Sequence, residues 1–323
     1  MTTNENKKLD EELMNLLEDV PEEDLEKKIV RLINKRIRTI VLKVLLVVAV
    51  VCMVLFFGIS PIMNAAYYNP ADEENKFEEV MRNYVELTTP WREVYTNTMQ
   101  VEDKGFGVYD VSLTVIDKTE PVIIGGHNVS FMIERGEITI KKDPELLMVK
   151  NVSRFNLPSD TLTKAEVMEL PSSAMLYLSL SLDEAVPLEV LRNLDVSVEW
   201  IQFDQPTVSF QGGLLMKTSV GDTDRTSITI DDEQLLQFYC EHMKVLLDHP
   251  EMWSQFHLYD GTGVGYFPEF AKTVLQKTYE DALTLDEIMV ENFCVYGKRD
   301  QITALFDQFT FDSIYVDNVR LLG

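Results

Sequence analysis

VLLVVAVVCMVLFFGISPIM, Val44 to Met63, is a run of twenty residues with no charged side chain. As a helix it rises about 30 Å, the thickness of a bilayer's hydrocarbon core. Thirteen of the twenty are Val, Leu, Ile or Phe, and at about −0.3 to −0.6 kcal/mol each near the membrane centre they favour insertion by roughly 4 to 8 kcal/mol. A core helix of a soluble protein keeps a polar face, and this stretch has none. A cleaved signal peptide would put a shorter apolar region behind a short basic start, whereas forty-three residues precede this one. Cys52 lies in mid-span behind Val51 and reads as packing.

The flanks orient the span. Lys27, Lys28, Arg31, Lys35, Arg36, Arg38 and Lys43 lie before it with no acidic residue among them, and Tyr67, Tyr68, Asp72, Glu73 and Glu74 open the other side. The positive-inside rule then makes the N-terminus cytoplasmic, turns the chain from about residue 64 outward, and sets the two tyrosines at the outer interface. The expected localisation is the cell membrane, single-pass, with an extracytoplasmic C-terminal region.

Charge falls into three blocks. Residues 1–26 hold 2 basic and 10 acidic side chains, residues 27–43 hold seven basic ones, and the remainder holds 20 basic against 44 acidic. An outer region so negative stays soluble and is repelled by polyanions, so direct binding of nucleic acid is not expected. Cys240 and Cys294 are the only cysteines outside the span. One disulfide is allowed between them, and their spacing does not decide whether it forms.

In the N-terminal arm, Leu9, Leu13, Leu16, Leu17 and Val20 fall on one helical face while Asp10, Glu11, Glu12 and Glu18 fall elsewhere. A helix this short is marginal alone in water, so its stripe wants a partner. These five residues are the candidate docking face for a cytoplasmic protein with a basic surface; a partly disordered leader satisfies the same periodicity. Pro21, followed by Glu22, Glu23 and Asp24, suits the first turn of a second helix. Its stripe of Leu25, Ile29, Leu32, Ile33 and Ile37 leads into the span.

Beyond the span, Phe77 to Leu87 reads as a short helix, taken as a stalk. Alternation over Val108 to Val115, then Val122 to Ile124, a Gly125-Gly126 turn, Val129 to Ile133 and Ile138 to Ile140, reads as a small antiparallel sheet. Met175 to Leu182 is a strand, Asp183 to Asn193 a short helix and Val196 to Phe203 a strand. Near the end, Phe293 to Tyr296 is a strand closed by Gly297, Gln301 to Phe309 a helix and Ser313 to Val319 a strand. A strand-helix-strand unit thus occurs twice, as ferredoxin-like or related α+β sheets require. Between the two, Asp231 to Leu247 and Pro268 to Leu283 are helices, the first capped by Asp231. The expected domains are a cytoplasmic arm (1–43), the transmembrane helix (44–63), a stalk helix with a β-rich lobe (64–160) and an α+β domain (161–323).

The run LYLSLSLDEAVPLEVLRNLDVSVEWIQFD, Leu176 to Asp204, and the close FCVYGKRDQITALFDQFTFDSIYVDNVRL, Phe293 to Leu321, resemble the C-terminal domain of the membrane-anchored sigma-factor-regulator (anti-sigma) family. Ser179, Ser181, Asp183, Trp200, Tyr296 and Gly297 stand at the family's strand-Ser, acidic-turn, Trp-strand and Tyr-Gly positions. The basic helix running into one span is similar to the family's N-terminal piece, and the order of these short motifs carries the likeness. The resemblance implies a protein that holds a cytoplasmic alternative sigma factor at the membrane and releases it when the outer domain reports a change in the envelope. It also leaves a place for an envelope protein or a second copy as further partner. Residues 1–26 match no family motif, so the docking face rests on its stripe. The other reading is an envelope-facing binding or sensor protein whose arm is only a leader.

Chemistry does not stand out. Gly261-Thr262-Gly263-Val264-Gly265 lacks the spacing of a phosphate loop. His242, His249 and His257 are not spaced as a helical metal pair, and Asp222-Thr223-Asp224 has two of a calcium loop's carboxylates but not the rest. No catalytic residue, cofactor or metal is expected, and the chain is read as a non-enzyme.

Overall fold

A computed structural model describes residues 22–72, 76–119, 126–142, 164–204, 212–219, 227–257 and 268–321. The candidate docking residues Leu9, Leu13, Leu16, Leu17 and Val20 lie outside the described residues, as do Val122 to Ile124, the Asp222–Asp224 acids and the Gly261–Gly265 loop. The chain is α+β, and it divides into two compact units, Met1–Ile62 and Met63–Gly323.

The first unit is built on α1 (Glu22–Met53), a π-helical turn over Val54–Ile59 and the start of α2 (Ser60–Ala66). The apolar helical stretch Ile29–Ala66 is long and apolar enough to cross a membrane, and none of its most apolar window is buried inside the protein. Helix therefore begins well before Val44. Nothing between Glu22 and Met53 breaks it, because that segment contains neither Gly nor Pro. The π turn falls where Gly58 and Pro61 approach: Ser60 donates its amide to the Leu55 carbonyl five residues back.

The second unit continues with α3 (Phe77–Thr88), then β1 (Arg92–Val94), β2 (Gln100–Gly105), β3 (Val108–Asp117), β4 (Gly126–Glu134) and β5 (Glu137–Lys142). These strands form one antiparallel sheet in the order β1-β3-β4-β5, with β2 also pairing with β3. Gly126 opens β4 rather than completing a turn. Alternation is clean: Tyr109, Val111, Leu113 and Val115 of β3 point to the core with Val129, Phe131 and Ile133 of β4.

Next come α4 (Lys164–Glu169), β6 (Ala174–Pro187), α5 (Leu188–Arg192), β7 (Ser197–Gln202), β8 (Gly213–Leu215), β9 (Lys217–Ser219), β10 (Ser227–Thr229), α6 (Asp232–Asp248), α7 (Pro250–His257), α8 (Pro268–Ala282), β11 (Met289–Lys298), α9 (Arg299–Gln308) and β12 (Phe311–Leu321). The second large sheet runs β12-β6-β11-β7-β8, antiparallel throughout. Its two strand-helix-strand units, β6-α5-β7 and β11-α9-β12, are interleaved: each has one strand of the other between its own two.

Three expectations are corrected. The helix at Phe77 is no stalk: Phe77, Val80, Met81, Tyr84, Val85 and Leu87 are at most 1% exposed, and the helix packs against β1, α6, α7 and β8 in the middle of the unit. Its apolar residues share one broad face that fills the core, and Glu78, Glu79, Arg82 and Glu86 on the opposite side are only partly covered. Asp183 to Pro187 is strand, not helix, because Val186 and Pro187 pair with Val290 and Met289, and the helix that follows has only five residues. Gly297 does not close β11 but lies within it, paired with Leu176. A Cβ there would sit 3.2 Å from Val196 Cγ1 and 3.4 Å from Ile302 Cδ1, so glycine admits the close approach of α9.

One apolar core joins both sheets. Leu176, Leu178 and Leu180 of β6, Phe293 and Val295 of β11, and Ile302 and Leu305 of α9 belong to the same cluster as Phe77 and Phe131. The expected two lobes therefore share an interior. Tyr68, placed at the membrane interface by its position, instead packs edge-on against Phe77 at 6.0 Å.

Candidate functional site

The other face of the β6-β11-β7 sheet carries a separate cluster of Trp91, Tyr177, Trp200, Leu215 and Cys294, with Met175 and Tyr296 against it. It forms because odd residues of β6 and even residues of β11 face away from the main core. Register then does the assembling: Cys294 pairs with Ser179 on one side and Trp200 on the other, and Tyr296 pairs with Tyr177. Tyr177 and Tyr296 stack at 5.4 Å, and the Arg320 guanidinium lies 4.8 Å above the Tyr177 ring. Burial raises the Tyr177 phenol pKa, against the opposing charge of Arg320.

Asp317 is the polar centre of this face. A register shift between Val316 and Asn318 leaves it as the extra residue of a bulge in β12, and a bulge re-aims its side chain. Its carboxylate accepts from the Ser179 hydroxyl at 2.6 Å and from the Trp91 indole N–H at 2.9 Å. Ser179 Oγ also lies 3.3 Å from Cys294 Sγ. A serine bonded to a carboxylate and 2% exposed is a structural group, not a presented nucleophile.

Trp91 reaches this place from the other sheet. It has φ +69°, in the left-handed region, yet it is 2% exposed. Its carbonyl accepts from Lys118 N at 2.7 Å, and the Asn318 amide and the Arg320 guanidinium both donate to the Thr119 carbonyl. These contacts fasten the end of β3 to the edge strand β12.

A second junction links α3, α6 and β7. Glu86 gives its backbone carbonyl to the Trp200 indole at 2.9 Å, while its carboxylate lies 3.2 Å from His242 Nε2. His242 Nδ1 donates to the Phe238 carbonyl at 2.6 Å. With an acceptor at both ring nitrogens, the imidazolium is the form that satisfies the geometry. Burial alone would lower the His242 pKa, and Arg82 works the same way, but the hydrogen bond and charge of Glu86 with the Phe238 carbonyl more than offset both and raise it. The stabilisation is therefore complete below His's ordinary pKa of about 6.5 and is lost as pH rises through the folded value. A Glu86→Gln variant is expected to remove this slope: thermal melts from about pH 5.5 to 8.5 should show wild type exceeding the variant most at the acid end.

The residues marked by the family-like motifs do not all meet. Ser179, Trp200 and Tyr296 converge on the aromatic face; Ser181 is buried farther along β6, paired with Asn292 and Ser313; Asp183 is exposed at the sheet's end; Gly297 serves the opposite face. The roles of Trp91, Asp317, Glu86 and His242 were not legible in the sequence, which offered His242 only as a rejected metal ligand, since each works through a partner between 114 and 226 positions away. Cys240 and Cys294 are free thiols; Cys294 is buried, and burial followed by the charge of Glu241 raises the Cys240 pKa. Among the described residues no group of three or more His, Cys, Asp or Glu side chains is placed to hold a metal ion. Comparison of the chain with protein-family models, curated proteins and solved structures finds no match.

Proposed function

We propose that this chain is a single-pass membrane anti-sigma factor that holds an alternative sigma factor at the cytoplasmic face and senses envelope state through an extracytoplasmic domain. The observation that carries the reading is the ordered set of motifs from Leu176 to Asp204 and Phe293 to Leu321, and their interleaved sheet supports it. We read that β12-β6-β11-β7 order as ferredoxin-like, with β8 added at one edge. The basic block from Lys27 to Lys43 supports the orientation. The acidic arm suits a partner whose nucleic-acid-binding faces are basic, by charge and by burial of its leucines.

The test is a pull-down from detergent extract with the intact protein and with a Leu13→Asp, Leu17→Asp double variant. A buried leucine is worth about 1.5 to 3 kcal/mol, so two should weaken capture by on the order of a hundredfold or more. A sigma factor retained by the intact protein and lost from the variant is the expected result. Retention by both would move the docking face toward Lys27 to Lys43. If a correctly inserted intact protein retained none, the anti-sigma reading would fall and the outer domain would be the working part.

A further inference from the structure

We infer that α1 is a self-association element: its β-branched seam packs against the same seam of a second copy of this chain in a parallel coiled coil continuous with the membrane span. Val30, Ile33, Ile37, Ile40, Val44 and Val47 recur at alternating intervals of three and four, which is the a/d pattern of a heptad repeat. Val30, Ile33, Ile37 and Ile40, which precede the charge-free run, are exposed, between 44% and 52%. The series runs on through Val51 to Val54, where the π turn begins and carries later residues out of phase.

Three observations select a second copy as the occupant. Charge comes first: the positions flanking the seam on one side are Arg36 and Lys43, and those on the other are Asn34, Val41 and Val48. In a parallel pair each cation then faces an uncharged neighbour, while Arg31, Lys35 and Arg38 point outward. Geometry comes second, because α1 is unbroken from Glu22 to Met53 and so cannot fold its apolar stripe onto the bilayer surface. Val30, Ile33 and Ile37 precede the charge-free run and are interspersed with Arg31, Lys35, Arg36 and Arg38, whose charges disfavour placing that length of helix in the hydrocarbon core. Register comes third. Two copies inserted with the same orientation have their seams at the same height, so parallel pairing needs no adjustment. β-Branched residues at both a and d shift the preference from two strands toward three or more copies along the same seam.

The seam does not depend on what the arm binds. Its test uses the full chain in membrane vesicles, with Cys52→Ala and Cys240→Ala to remove the accessible native thiols. Ile33→Cys or Ile37→Cys should form disulfide-linked copies under copper-phenanthroline at least about tenfold faster than Arg31→Cys or Lys35→Cys. Equal rates, faster linking at the outward positions, or linking only to other proteins would overturn the proposal. A second measurement is the mass of the detergent-solubilised protein. The wild type should be oligomeric and an Ile33→Lys, Ile37→Lys variant monomeric, with the melting of the second unit unchanged; a monomeric wild type, or a variant with undiminished mass, would also overturn it.

Discussion

Trp91→Ala is expected to destabilise the second unit by about 3 to 5 kcal/mol, the usual cost of emptying a buried tryptophan site. For a unit of this size that lowers the melting temperature by on the order of 10 °C. Two losses add. The cluster of Tyr177, Trp200, Leu215 and Cys294 loses its largest neighbour, and Asp317 loses the indole N–H that helps satisfy its carboxylate. Trp91→Phe should separate them: it keeps most of the ring and gives up only the donor, at about 1.5 to 3 kcal/mol. The backbone supplies a sharper signature. Because φ is +69°, a residue with a Cβ carries a cost of roughly 1 to 2 kcal/mol there that glycine does not. Trp91→Gly should therefore melt above Trp91→Ala, the reverse of the order at ordinary positions. If alanine is the more stable, the left-handed backbone at Trp91 is wrong.

Gly213→Ala should be nearly as damaging, for the opposite reason. A Cβ on Gly213 would stand 2.1 Å from the Ile201 carbonyl oxygen, 2.2 Å from Trp200 Cζ2 and 2.5 Å from Trp200 Cε2. Two of those atoms belong to a fully buried ring, and the third is backbone in the adjacent strand, so neither can swing aside. Overpacking costs about 1 to 3 kcal/mol where side chains can shift, and here the upper end or beyond is expected, since β8 must lift from β7. The readout is local as well as global. Trp200 donates to the Glu86 carbonyl, so lifting β8 should speed exchange of its indole proton and shift its fluorescence to the red. A Gly213→Ala protein with wild-type melting and an unshifted Trp200 signal would show that β8 does not press on the ring.

Both effects converge on Trp200, and through Glu86 on His242. Glu86 is the residue at which three elements meet: α3 by its own backbone, β7 through its carbonyl and α6 through its carboxylate. The acid-side stabilisation expected of His242 thus acts on the same helix that the aromatic face grips from the other side. A combined Glu86→Gln, Trp91→Phe protein is the natural double-mutant cycle, because coupling between the two junctions should be measurable if α3 transmits strain as one body.

Local physics made much of the architecture readable in advance. The charge-free run at Val44 could only be a long apolar helix, because no residue in it wants water. Asp231 was legible as a cap, and it does accept from Gln234 N at 2.8 Å. The strands of β3 and β4 were legible from alternation. The end of β6 was not: Asp183 and Glu184 followed by Pro187 imitate a helix start, and pairing with Met289 and Val290, together with the Asp183 amide's bond to the Thr310 carbonyl, holds that segment extended. The short strands β8 to β10 carry too few residues to show a period.

The chain's sequence by itself determined where the apolar helix lies, how charge divides around it and which segments alternate as strands, since each depends on neighbours within a few residues. Only the tertiary structure decided that α3 is a core helix rather than a stalk, that Trp91 is locked under Asp317 and that Ser179, Trp200 and Tyr296 share one face. Those outcomes depend on pairing between segments more than ninety residues apart in the chain. Local composition carries no record of such pairings, because closing long loops is rewarded only by contacts that exist once the sheet has formed.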